Sequence, residues 1–100
     1  MSATGQVIRF EAEVIRFDGA GGWHAVFLPD DAASEARFFG RPNALGSIAV
    51  IVDVNTSSAR TSLFPDKQRQ SFLLPLNARL RKDAEITAGD RIAVVLTLID

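Results

Sequence analysis

A chain of 100 residues has room for one hydrophobic core and no second domain, so residues 1–100 are read as a single unit. Apolar residues make up 47% and charged residues 23%, which excludes a disordered chain; the absence of cysteine excludes disulfides, thiolate metal sites and cysteine nucleophiles. A formal charge of −1 excludes a uniformly basic nucleic-acid binder.

Residues 7–17 alternate with a period of two, Phe10, Ala12 and Val14 on one face and Arg9, Glu11 and Glu13 on the other, which predicts a strand. Ile15 and Phe17 fall on the charged face, so the strand must bulge or twist sharply there. The glycine-rich stretch 18–22 predicts a turn, and residues 23–28 return as the second arm of a hairpin. Pro29 ends that arm, Asp30 or Asp31 caps a short helix over 32–39, and Gly40 stops it. After a Gly/Pro/Asn connector, residues 47–54 form the most apolar strand, with Asp53 its one charge. Residues 60–64 and 71–76 are the fourth and fifth strands, and Pro75 assigns the fifth to an edge or a strand end. Asn77 caps a short helix from 78 to about 83. Residues 87–90 turn, and residues 91–99 are apolar on both faces, as a central strand requires. Six short strands and two short helices predict a mainly β fold, a small closed or nearly closed six-stranded barrel, because closure removes sheet edges. An open α+β sheet is the alternative.

With these elements in place, the chain resembles the bacterial domain-of-unknown-function family 1905. The resemblance rests on Phe10-Glu11-Ala12 in the first strand, Gly22-Trp23 and Leu28-Pro29 around the second, and Thr61-Ser62-Leu63-Phe64-Pro65 in the fourth. Leu74-Pro75-Leu76 ahead of Arg81-Lys82, and Gly89-Asp90 before the final strand, complete it over roughly residues 8–99. Two departures stand out: Asp66-Lys67-Gln68-Arg69-Gln70 replaces the family's glycine-rich turn, and Asn55-Thr56-Ser57 lacks a glycine. The resemblance implies a small β-barrel domain and no named activity.

Charge is unevenly spread along the sequence. Between residues 60 and 82 lie Arg60, Lys67, Arg69, Arg79, Arg81 and Lys82 against the single acid Asp66, whereas residues 83–100 are acidic. Arg79, Arg81 and Lys82 are read as a site for an anion or acidic partner, since guanidinium groups grip phosphate and carboxylate bidentately, and Arg60, Lys67 and Arg69 would extend the patch. The plainer alternative is a solvated surface, or pairing with Asp83, Glu85 or Asp90. Trp23, after the glycines, lines a pocket at the barrel mouth or caps the core. His24 is the only histidine, and no second ligand or positioned acid is evident from the sequence. Asp53 needs a partner, Arg60 across the turn being the natural one. Gly89-Asp90 reads as turn chemistry.

No nucleophile elbow, P-loop or dinucleotide fingerprint is present. The leading expectation is a non-enzymatic binding or regulatory domain for a small anionic ligand or a protein partner, with ligand contacts at Trp23, Arg60, Arg79, Arg81 and Lys82, and with no metal or cofactor. A nucleic-acid-binding regulator is the second reading, by analogy of residues 89–94 with barrel-type regulators, and the charge of −1 counts against it. A cryptic enzyme using Asp53 or Asp90 with His24 is the third. Neither a basic-then-apolar leader nor an apolar run of about 20 residues is seen, so the expected location is the cytoplasm, without a membrane partner. A homodimer formed through an exposed strand is compatible with each reading.

Overall fold

A computed structural model describes residues 3–18 and 22–99. In chain order the elements are β1 (Ala3–Glu13), β2 (Ile15–Arg16), β3 (His24–Phe27), α1 (Asp30–Phe39), β4 (Ile48–Val54), β5 (Ser57–Asp66), β6 (Ser71–Leu76), α2 (Ala78–Ala84) and β7 (Arg91–Ile99). Residues 19–21 of the expected glycine turn lie outside the described residues.

The strands form one antiparallel sheet in the order β1-β7-β4-β5-β6-β3-β2. Alternation decides which side of each strand is buried: Ile8, Phe10, Ala12 and Val14 face inward from the N-terminal segment, Val50 and Val52 from β4, Leu74 and Leu76 from β6, and Val94, Leu96 and Leu98 from β7. The register brings these side chains opposite one another, with Ile8 beside Leu96, Val52 beside Leu96 and Val50 beside Leu98. β7 pairs with β1 on one edge and, from Val95 to Leu98, with β4 on the other, so its apolar length is central.

The expected closed or nearly closed six-stranded barrel is not what forms. The sheet is an open half-barrel of seven strands, whose two ends, β1 and β2, are consecutive pieces of one segment and pair outward with β7 and β3. The segment changes partner at Val14. Its N–H donates to the Asp90 carbonyl at 2.8 Å and its carbonyl accepts from the Gly89 N–H at 2.8 Å. The strand is interrupted there, and Ile15 resumes it against Ala25 of β3, facing outward. The phase loss in the sequence marks this break. A second opening lies between β5 and β6, which pair only between Phe64–Asp66 and Ser71–Leu73.

The helices plug the two ends. α1 starts at Asp30, two residues earlier than expected, because Pro29 (φ −61°, ψ 161°) takes the capping position itself. Asp30 and Asp31 then lie in the first turn, at the positive end of the helix. Ala32, Ala33 and Ala36 are buried, small enough to let the helix sit close over the core. At the opposite end Asn77 accepts a hydrogen bond from the Leu80 N–H at 2.7 Å, and α2 buries Leu80 and Ala84. The Asn55 side chain donates to the Ala84 carbonyl at 2.7 Å, tying the β4–β5 turn to α2. No helix among the described residues is long and apolar enough to cross a membrane.

Candidate functional site

Where β5 and β6 part, a cleft of about 350 Å³ opens between Thr61 of β5, Pro75 and Leu76 of β6, Asn77, Ala78 and Arg81 around α2, and Trp23 with His24 at the start of β3. Pro75, which has no backbone donor, lies in the stretch where the two strands are no longer paired.

Three basic side chains converge here. Arg16 and His24 are cross-strand partners in the β2–β3 ladder, so both side chains project from the same face. Arg81 reaches the site from α2 and donates through Nη1 to the Leu76 carbonyl at 2.6 Å, which fixes its guanidinium while using one of its five donors. Among the described residues neither Arg16 nor Arg81 is paired with a carboxylate. His24 is half-buried, and its Nδ1 is enclosed without a hydrogen-bond partner. Desolvation holds the imidazole below its ordinary pKa of 6.5, the Arg81 and Arg16 charges push it further in the same direction, and the Gly22 backbone acts against them.

An aromatic wall adjoins this cluster. Trp23, 45% exposed, stacks on Phe17 with ring centres 4.6 Å apart and planes 16° from parallel. Phe17 in turn meets Phe27 edge-on at 6.0 Å, and the Arg69 guanidinium sits 4.0 Å over the Phe27 ring.

The residues singled out from the sequence are distributed rather than gathered. Trp23 and Arg81 line the cleft together. Arg60 stands exposed on the outer face of β5, and Lys82 is exposed on α2. Arg79 lies in an exposed ion pair with Asp83 at 3.7 Å. The basic segment 60–82 does not make one patch: Lys67 and Arg69 belong to the turn before β6, Arg79, Arg81 and Lys82 to the helix after it, and β6 separates them. Asp53 is half-buried on the outer face of β4, opposite Ser58 and only diagonal to Arg60, with no ion pair between them. Asp90 accepts from the Thr87 N–H at 2.9 Å, within a turn where Gly89 has φ +92°. Among the described residues no hydrogen bond or ion pair joins His24 to either aspartate. Among the described residues no three His, Asp or Glu side chains are grouped to hold a metal.

Arg16 escaped the sequence reading. Its signal was the hairpin register, since pairing Ile15 with Ala25 sets Arg16 opposite His24, but the glycines between them leave that register unspecified. Comparison with known proteins finds a family model, described as "Domain of unknown function (DUF1905)", that matches residues 10–96. No curated protein matches the chain.

Proposed function

The chain belongs to the DUF1905 family, and we propose that it is a non-enzymatic binding domain for a small anionic ligand, held in the cleft between Trp23, His24 and Arg81. One observation carries the reading: Arg16, His24 and Arg81 converge beside a cleft, and among the described residues no carboxylate pairs with either arginine. Such a cluster raises the energy of the empty protein, and an anion relieves it. Arg81 offers carboxylate or phosphate a geometry with donors to spare, the imidazole supplies a further donor when protonated, and Trp23, Pro75 and Leu76 favour an apolar or aromatic body on the ligand. Arg60, Arg79 and Lys82, which stand outside this cleft, are left out of the ligand set.

Isothermal titration with benzoate and phenyl phosphate, and with benzamide as the uncharged control, tests the reading. Binding of either anion, absent for benzamide and weakened at least tenfold in Arg81→Gln but not in Arg79→Gln, is the expected result. Equal binding of benzamide, or indifference to Arg81→Gln, would overturn it. Phenyl phosphate alone binding would narrow the class to phosphates, and benzoate alone to carboxylates.

A further inference from the structure

A larger cleft, of about 570 Å³, lies at the α1 end of the half-barrel, between the last turn of α1, the 40–47 connector and the 66–70 turn. Pro42, Ile48, Pro65 and Phe72 give it an apolar lining, and Arg37 and Lys67 stand at its rim. Arg37 donates to the Gln70 carbonyl at 2.5 Å and stands 5.8 Å from the Phe72 ring centre, which holds its charge in place, and it has no carboxylate partner among the described residues. Lys67 has no ion pair among the described residues. The one acid in the lining, Asp66, is already engaged by the Arg69 guanidinium at 2.9 Å and by the Gln68 and Arg69 N–H groups.

Large apolar side chains stand out of the surface beside this cleft. Phe38 is 81% exposed, Leu45 84% and Phe39 41%, and the two phenylalanines meet edge-on at 4.8 Å. Leu45 is not on a slack loop: the Asn43 side chain accepts from the Leu45 N–H at 2.8 Å and the Ser47 N–H at 3.1 Å, and the Asn43 N–H donates to the Ser47 carbonyl. A pre-ordered apolar surface reduces the entropy lost when a partner docks.

We infer that this cleft docks an extended peptide segment from another protein, one that places an aromatic or leucine side chain against Pro42, Pro65 and Phe72 and flanks it with Asp or Glu facing Arg37 and Lys67. Charge complementarity selects the acidic flanks, because the rim is cationic and its only carboxylate is occupied. The concave apolar lining selects an inserted side chain over a flat lipid surface. This site lies at the opposite end of β6 from the Trp23–Arg81 cleft and stands independently of it.

The test is to pan the whole chain against a displayed library of random short peptides, then titrate the enriched sequences into isotope-labelled protein. Enrichment of peptides with an aromatic or leucine beside Asp or Glu is expected, with amide shifts confined to residues 37–48 and 65–72. Affinity should fall at least tenfold in Phe38→Ser and in Lys67→Glu, both surface changes whose unfolding midpoints verify that the fold is intact. Enrichment without acidic residues, shifts centred on Trp23, or no enrichment over an unrelated β-domain would overturn the inference. So would a Phe38-dependent dimer at raised protein concentration, which makes the occupant a second copy, or Phe38-dependent pelleting with anionic vesicles, which makes it a membrane.

Discussion

His24 is the residue at which the account is most exposed to experiment, because three groups act on one imidazole. Burial and the charges of Arg81 and Arg16 all oppose its protonation. Above pH 6.5 the imidazole is neutral in the folded and unfolded chain alike, and its contribution to stability is complete. As pH falls below 6.5 the unfolded chain takes up the proton first, so stability drops until the lower pKa of the folded protein has been passed. Urea midpoints across this window are expected to fall with pH in the wild type and to fall less in His24→Gln; equal slopes would show that the imidazole is unperturbed. His24 is conspicuous in the sequence as the only histidine, and the acid partner that a catalytic role would need is not among the charges that act on it. Its neighbours are arginines, one supplied by a hairpin register and the other by a helix distant in sequence. Neither contact has a local signature. Trp23, by contrast, drew notice as a large ring directly after glycines, with pocket lining and core capping as its two readings; it stacks on Phe17 and lines the cleft.

Among the elements, those governed by local rules were readable and those governed by a partner were not. Asn77 capping α2 follows from side-chain chemistry within one turn, and α1 ends at Gly40 as a glycine's poor helix propensity leads one to expect. Gly40 has a further duty that its φ of −74° does not disclose: a Cβ there would meet the Ala36 carbonyl oxygen and lie 2.7 Å from Ile48 Cδ1. Gly40→Ala is therefore expected to destabilise the domain by about 1–3 kcal/mol, through overpacking between α1 and β4 and not through backbone strain. Chemical denaturation measures this directly; a neutral or stabilising substitution would mean that the helix shifts freely on the sheet. The division of the N-terminal strand at Val14 was visible only as a lost phase. The change of partner there, from residues 89–91 to Ala25, depends on segments that no local window contains.

At the scale of the whole molecule, an apolar alternation shared by the strands specified a mainly β fold with one core, and those faces do meet. Closure was the wrong extrapolation, since period-two patterning says which face is buried and nothing about whether the last strand finds the first. The smaller cleft lies at an opening, where the separation of β5 from β6 admits Arg81 beside His24, and the larger one lies at the α1 end, over the paired ends of those strands. Linear charge segregation left the surface distribution open, and β6 carries Lys67 and Arg69 to one end and Arg79, Arg81 and Lys82 to the other. The central claim, that an anion completes the Arg16–His24–Arg81 cluster, is tested most directly by following the His24 ring resonances through a pH titration with and without saturating benzoate or phenyl phosphate. Alone, the imidazole is expected to titrate below 6.5. With the anion bound, its pKa should rise, as an opposite charge at close range requires, and Arg81→Gln should diminish the rise. An imidazole whose titration neither anion moves would contradict the claim.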